Sequence, residues 1–151
     1  PQKTEPTNPL YSLDKQQSSL VYYDKNTIVL TMPYWVKVTN SSVEDSEVKK
    51  HSFVLSYDPE AMTASDTKLK LYISHVVEDA GETVTRSNFT YAYRAYSIRA
   101  ALAAFKEKTG KLPKYLELTA EINNSKDELV DKDGKETSVE RSVEYDYAFT
   151  E

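Results

Sequence analysis

Apolar and polar residues alternate along most of this chain, which is the pattern of strands with one buried and one solvated face. The stretch Leu20–Tyr23 ends at the turn-like Asp24–Asn26, and residues 27–39 then place an apolar side chain at nearly every second position. Further alternating stretches lie at residues 51–57, 69–77, 116–122 and 139–149. Because strict alternation is typical of antiparallel pairing, the pattern predicts an antiparallel sheet of about five or six strands.

The hydrophobic period changes at Ser97. The spacing of the next apolar residues places them on one helix face: Ile98, Ala101, Leu102 and Phe105. Two lysines precede Gly110, as is typical of the last turn and the end of a helix. We predict one main helix over about residues 97–109, packed on one face of the sheet, which makes the fold class α+β.

Three parts of the chain are less regular. Residues 40–50 are polar and charged, which predicts a surface loop. Residues 83–96 suit a strand through Phe89, Tyr91 and Tyr93, but their last part could also begin the helix. Pro33 interrupts the stretch 27–39, and because proline cannot donate to a ladder we predict an edge strand or a bulge there.

The first nine residues contain three prolines. Such a stretch is typical of an extended tether, so we predict a tether over residues 1–19 and a single α+β domain over residues 20–151. Since the chain starts at Pro1 rather than at Met, we expect a removed signal peptide or lipoprotein signal before it. This expectation places the protein in the secreted or envelope-attached fraction of a bacterium, with an N-terminal lipid as one means of attachment.

The composition narrows the function classes. A length of 151 residues predicts one domain, and 39% hydrophobic residues can supply its core. The sequence has no cysteine, which excludes disulfides and thiolate-bound metals. The net charge is −5 and no basic stripe occurs, so we expect no nucleic-acid partner. The longest apolar runs fall far short of the roughly 20 residues of a membrane-spanning helix.

Candidate catalytic and metal-binding residues are few. His51 and His75 both fall on the apolar side of predicted strands, which favours buried structural histidines over ligands or catalysts. Asp133-Gly134 imitates part of a calcium loop, but Leu129 occupies the position where the first ligand, an aspartate, is required. The glycine motifs of nucleophile elbows and phosphate-binding loops are absent from the sequence. We therefore predict a protein that is not an enzyme, with no catalytic residue, metal or cofactor.

The aromatic residues are more numerous than one core needs: twelve tyrosines, four phenylalanines and one tryptophan. Tyrosine and tryptophan are enriched at binding interfaces, because a rigid ring offers contact area at low entropic cost. The alternative is a set of core positions whose hydroxyls reach water. We predict a partner-binding surface that contains Tyr22, Tyr34, Trp35, Tyr91, Tyr93 and Tyr96.

Two patches resemble the surface-adhesin protein E family and related secreted bacterial domains. The first is the Tyr-Tyr-Asp turn within Val21–Ile28, followed by Tyr34–Lys37. The second comprises residues 101–108, 115–123 and 143–146, which look like the helix and last two strands of the related domains. The resemblance implies an antiparallel sheet with a packed helix, export to the envelope and, for the family's best-known member, binding of host matrix proteins. Such domains often carry a cysteine where this chain has Asn124.

The sequence therefore predicts an exported, non-catalytic surface or periplasmic binding module, adhesin-like, that contacts a protein partner such as a host matrix or envelope protein. A homodimer formed through a sheet edge would use the same tyrosines and is an alternative to a protein partner there. The alternative is a small inhibitor or immunity-type protein: from Glu121 onward ten acidic residues face only four basic ones, and this acidic C-terminal hairpin could block a basic enzyme. Binding by the hairpin should weaken with salt, whereas binding by an aromatic surface should not. A hydrolase would require Asp, Glu and His together in one concave pocket.

Overall fold

A computed structural model describes residues 5–78, 86, 88–123, 138–147 and 149. The described residues form seven strands: β1 (Ser19–Asp24), β2 (Thr27–Val36), β3 (His51–Ser56), β4 (Lys68–Val77), β5 (Asn88–Ser97), β6 (Tyr115–Ile122) and β7 (Val139–Asp146). They also form two helices, α1 (Asp45–Val48) and α2 (Arg99–Thr109), and a 3-10 turn at Pro59–Ala61. The calcium-like stretch 129–134 lies outside the described residues.

The strands form two sheets rather than one. The first has the order β1-β2-β5 and is antiparallel throughout, and the second has the order β3-β4-β6-β7, in which β4 and β6 pair in parallel. The prediction of a single antiparallel sheet of five or six strands is therefore wrong in the number of sheets and strands. Alternation identifies the apolar side of each strand, but pairing depends on contacts between residues far apart in sequence.

The core lies between the two sheets, and helix α2 adds to it. The largest fully buried side chains include Ile28, Leu30 and Met32 of β2, Leu69, Leu71 and Ile73 of β4, and Phe105 of α2. Helix α2 ends at Gly110, whose φ of 80° is the left-handed conformation that closes many helices. The predicted helix at 97–109 is confirmed to within two residues, and the dominance of strands with one long helix agrees with the α+β prediction.

The N-terminal segment, residues 5–13, joins the two sheets. The Leu10 amide donates to the Glu121 carbonyl (2.9 Å), and its carbonyl accepts from the Asn123 amide (2.8 Å). The next amide, that of Tyr11, donates to the Pro33 carbonyl on β2 (3.0 Å). Leu10 and Leu13 belong to the core. The expectation that this stretch is an extended tether is therefore wrong for residues 8–13, because its two leucines complete the core.

The position of Pro33 also differs from the prediction. Strand β2 is the central strand of its sheet, not an edge. Pro33 lies beyond the last residue that pairs with β1, since the register of β1 with β2 ends at Ser19 opposite Thr31. On that side the described part of the chain places the N-terminal segment against β2, and the Pro33 carbonyl accepts from the Tyr11 amide there. A proline is tolerated here because no neighbouring strand needs its missing amide hydrogen.

Candidate functional site

The outer face of the β1-β2-β5 sheet is rich in aromatic side chains, and its one charged strand residue, Asp24, lies at the turn end opposite Thr27. Alternation turns every second residue of these strands away from the core, and we call eight of them the aromatic face: Val21, Tyr23, Val29, Thr31, Phe89, Tyr91, Tyr93 and Ala95. Tyr23 is 80% exposed, Tyr93 is 67% exposed and Val21 is 59% exposed. None of the eight side chains carries a charge. Contiguous exposed apolar surface of this kind is typical of an interaction site.

One end of the aromatic face is fixed by the N-terminal segment. The Tyr11 ring stacks on Phe89 with ring centroids 4.1 Å apart, and meets Trp35 edge-on at 4.9 Å. The Trp35 indole also donates a hydrogen bond to the Asn123 carbonyl. Because Tyr11 covers the outer side of Trp35, the tryptophan is buried although its position in β2 points outward.

Two of the six predicted partner-binding residues therefore cannot offer a surface. Tyr34 is 2% exposed and Trp35 is 1% exposed. Tyr34 points into the core, where its ring lies edge-on to Phe53 at 5.0 Å. The prediction of these two as partner-binding residues is wrong. Tyr34 belongs to the inward side of β2, and Trp35 is covered by the N-terminal segment, which the sequence did not indicate.

Tyr22 and Tyr96 lie half-buried between the sheets. The Tyr22 hydroxyl donates to the Asp146 carbonyl (2.6 Å), and the Tyr96 hydroxyl donates to the Phe53 carbonyl (2.8 Å). Burial raises the pKa of Tyr96 to about 12, and burial followed by the nearby Tyr147 raises the pKa of Tyr22. Both phenols thus stay protonated and connect one sheet to the other.

Tyr91 and Tyr93 are the predicted residues that do lie on the exposed aromatic face, and their binding role stays a prediction. Sequence reasoning omitted Val21, Tyr23 and Phe89 from the set. The strict alternation of β1 and β5 could have found them, since each lies two positions from another outward residue.

A second group of polar side chains is buried inside the protein. We call Glu47, His51, His75 and Arg86 the buried ionic cluster. The Arg86 guanidinium, fully buried, donates to both Glu47 carboxylate oxygens, at 2.8 and 3.2 Å. Helix α1 positions Glu47, while β3 and β4 position the two histidines. The distance from His51 Nδ1 to His75 Nε2 is 2.8 Å, which is a hydrogen bond.

The hydrogen bonds of the cluster indicate which of its ring nitrogens carry protons. A chain of three bonds runs from the Glu47 carboxylate through His51 and His75 to the Pro9 carbonyl, with lengths of 2.9, 2.8 and 3.0 Å. Both ends of this chain are acceptors when Glu47 is ionised, so three bonds require three protons on two rings, and one ring is an imidazolium. Burial, and then the charge of His51, lower the pKa of His75 to about 3. The additional proton therefore resides on His51.

Glu47 is the anion of the cluster. Burial alone would raise its pKa, but hydrogen bonds from Arg86, from His51 and from the Lys37 amide together lower it to about 2. The carboxylate is therefore ionised at neutral pH and pairs with both buried cations, Arg86 and His51. Such an arrangement suits a structural role, because all four ring nitrogens of the two histidines are already hydrogen-bonded within the protein.

The prediction that both histidines are buried is confirmed, and their structural role stays a prediction. The members of the cluster line neither the cleft beside the 3-10 turn nor the one between Leu112 and Tyr147. Among the residues the structure describes, no group of three or more His, Asp or Glu side chains is arranged to hold a metal ion. Sequence reasoning missed Glu47, which lies in the expected surface loop, and Arg86, which lies in the ambiguous stretch.

The outer face of the other sheet has the opposite character. Strands β4, β6 and β7 present charged side chains, and the Lys68 ammonium lies 2.8 Å from a Glu144 carboxylate oxygen and 3.8 Å from one of Glu117. The uncharged aromatic face on one sheet thus contrasts with the charged outer face of the other. In the described part of the chain, no helix is long and apolar enough to span a membrane.

Comparison with known proteins gives a structural relationship. No protein-family model matches this chain, and no curated protein matches its sequence. A solved chain from Bacteroides fragilis, named as a "putative lipoprotein", is similar with a TM-score of 0.76 and 27% sequence identity. The similarity covers 99% of this chain and 66% of the solved one. The chain thus spans about two thirds of that protein's solved length and has the same fold as that region.

Proposed function

We propose that this protein is a non-catalytic binding module of the bacterial envelope that docks a protein partner on the aromatic face. The observation that carries the proposal is the contrast between the two outer faces: eight uncharged positions on one sheet, and ion-paired side chains on the other. Burying the aromatic face against a partner would leave no charge unpaired. The partner surface it fits is therefore apolar and uncharged at its centre.

The envelope location is supported by the similar Bacteroides fragilis chain, which is named as a lipoprotein. An adhesin-like role is supported by the resemblance of the β1–β2 hairpin to the surface-adhesin protein E family, and it stays a prediction. Both histidines are enclosed in the buried ionic cluster, which is our reason to propose a binding module rather than an enzyme.

A binding assay with matched variants tests the proposal. The purified protein would be titrated against purified extracellular matrix proteins and envelope proteins at low and high salt. Val21→Ser and Tyr93→Ser remove exposed side chains of the aromatic face, while Val54→Ser removes an exposed valine from the other sheet. We expect salt-resistant binding that weakens about tenfold or more in the first two variants and is unchanged in Val54→Ser.

The other outcomes distinguish the alternatives. Binding that disappears with salt and ignores the aromatic-face variants would refute the proposal and favour an inhibitor that uses the acidic residues of β7. Self-association in sedimentation experiments that Tyr93→Ser abolishes would assign the aromatic face to a homodimer. Much of the acidic hairpin, residues 124–137, lies outside the described residues.

A further inference from the structure

The described strands leave four sheet edges, and three of these edges are protected. Strand β1 has six residues and a register shift before Asp24. Strand β3 also has six residues, and its Phe53 carbonyl accepts from the Tyr96 hydroxyl. Strand β7 carries four charged side chains, and its Asp146 carbonyl accepts from the Tyr22 hydroxyl. Short length, irregular register and charge are devices that keep an exposed edge from pairing with another chain.

Strand β5 is the fourth edge and has the least protection. It spans ten residues, contains no proline and pairs with β2 without a register shift. Its single charged residue is Arg94, whose guanidinium is held within the molecule, 5.1 Å from the centre of the Phe53 ring. A long and regular edge with so little charge is a site where another strand can add.

The register shows which backbone groups of β5 point to this edge. Opposite residues in an antiparallel pair alternate between those that exchange hydrogen bonds and those that do not. The Ile98 amide donates to the Asn26 carbonyl (2.7 Å), so these two residues exchange bonds. Counting back along the unbroken register, the even-numbered residues of β5 bond to β2. The odd-numbered residues therefore direct their amides and carbonyls to the edge: Phe89, Tyr91, Tyr93 and Ala95.

These outward backbone groups are available to a further strand. In the described part of the chain, the amides of the four residues meet no acceptor. The Tyr93 carbonyl accepts from the Arg94 guanidinium (3.0 Å), but a carbonyl oxygen has two lone pairs and can accept an amide as well. All four side chains are exposed, so no part of the molecule covers this row.

The outer row of β5 is complementary to itself. When a second copy of β5 pairs antiparallel with Tyr91 opposite the second copy's Tyr93, two such tyrosine pairs form, one on each side of a twofold axis. Phe89 then lies opposite Ala95, which puts a large side chain beside a small one. Directly opposed aromatic residues stabilise a sheet, and a twofold contact uses the same surface on both copies.

The inner row fits in the same register. Arg94 lies opposite Thr90 of the second copy, so the two arginines do not face each other. Tyr96 lies opposite Asn88, and Ala92 meets its own counterpart on the axis. The register thus opposes no like charges, which would destabilise a strand pair, and it places the smallest side chains where the two copies are closest.

We propose that two copies of this protein pair through β5 in this register and join their three-stranded sheets into one sheet of six strands. The outward residues of the two copies would exchange about eight backbone hydrogen bonds. That number lies within the usual range for a protein interface, about 10 ± 5. The proposal goes beyond the docking function, because the edge is used and the two aromatic faces stay exposed side by side.

Cysteine variants test the register, since the sequence has no cysteine of its own. Ala92→Cys places two thiols opposite each other on the axis, where the Cα atoms are about 4.5 Å apart, within the range of a disulfide. The thiols of Ala95→Cys would lie about 20 Å apart, because six residues along the strand separate them. Ala92 is 3% exposed in the single molecule, whereas Ala95 is exposed. Under mild oxidation we expect Ala92→Cys to form the disulfide dimer at least about tenfold faster, although random collisions would favour Ala95→Cys.

Sedimentation of edge variants tests the contact itself. Ala95→Pro removes an amide hydrogen that points to the edge and leaves the bonds to β2 in place, while Ala95→Ser keeps that amide. We expect wild type and Ala95→Ser to form dimers, and Ala95→Pro to associate at least about tenfold more weakly. Val21→Lys puts a charge on the aromatic face at β1 and should associate as wild type does.

Three results would overturn the proposal: a wild-type protein that stays monomeric up to about 1 mM, equal cross-linking of the two cysteine variants, or loss of the dimer in Val21→Lys. The last result would point to a dimer that forms face to face. Urea unfolding checks that each variant is folded, and if Ala95→Pro is not, the two cysteine variants decide. Failure of docking is distinguishable from failure of pairing, because Val21→Lys should weaken docking and leave the dimer intact.

Discussion

Replacing Glu47 with glutamine tests the interpretation of the buried ionic cluster. The substitution keeps the shape of the side chain but removes the carboxylate charge that contacts both Arg86 and His51. Two buried cationic groups then lose the anion that they share. Removing one partner of a buried ion pair typically costs about 3–5 kcal/mol.

The pKa of Glu47 gives an independent magnitude. The carboxyl has a pKa of about 2 in the folded protein against an ordinary value of 4.5. At about 1.4 kcal/mol for each pH unit, this difference corresponds to about 3 kcal/mol. Because the folded pKa is lowered, this contribution is fully present above about pH 4.5 and is lost as the pH falls toward 2. The two magnitudes agree.

Urea unfolding of the Glu47→Gln variant is the assay, with Glu44→Gln as the matched control. Glu44 lies exposed just before the same helix. At pH 7 we expect Glu47→Gln to lose about 3 kcal/mol of unfolding free energy and Glu44→Gln less than about 0.5 kcal/mol. The gap between wild type and Glu47→Gln should narrow as the pH falls below about 4.5. Equal losses in the two variants, or a gap that does not depend on pH, would refute the reasoning.

Three further predictions concern other parts of the fold. The ¹⁵N spectrum of the imidazoles at neutral pH should show His51 doubly protonated and His75 neutral with its proton on Nδ1; two neutral rings would contradict the proton count. Leu10→Ala should lower the unfolding free energy by about 2–5 kcal/mol in urea titrations, whereas an extended tether would lose nothing. Gly110→Ala should lower the unfolding free energy by about 1 kcal/mol in thermal unfolding. The loss comes from the φ of 80° alone, because a Cβ at this position meets nothing within 4 Å. An unchanged unfolding midpoint would contradict this prediction.

Local structure was predictable where the local pattern is strong. The inward residues of β2 and the buried face of α2 follow from periods of two and 3.6 residues, and Gly110 marks the end of the helix. The arrangement of the strands in two sheets did not follow, because it rests on pairings between distant parts of the chain. The parallel contact of β4 with β6 is one of them.

The site was predictable only in part. Tyr91 and Tyr93, predicted to bind a partner, do lie on an exposed strand face, but Trp35 was not recognised as buried, because its cover is Tyr11. The buried ionic cluster escaped notice for a similar reason. Glu47 lies in a polar stretch that looks solvated and Arg86 lies in the ambiguous stretch 83–96, and only the folded chain brings them together.

The bridging role of the N-terminal segment also determines how this fold could fail. Without residues 5–13, the amide of Asn123 and the carbonyls of Glu121 and Pro33 would lose their partners at two neighbouring sheet margins. Unpaired margins of this kind are templates for a strand from another chain. The segment of a second molecule has the complementary sequence, so release of the segment from its own two sheets would favour strand exchange. Molecules linked in this way could extend into open polymers, because each would donate a segment and accept another.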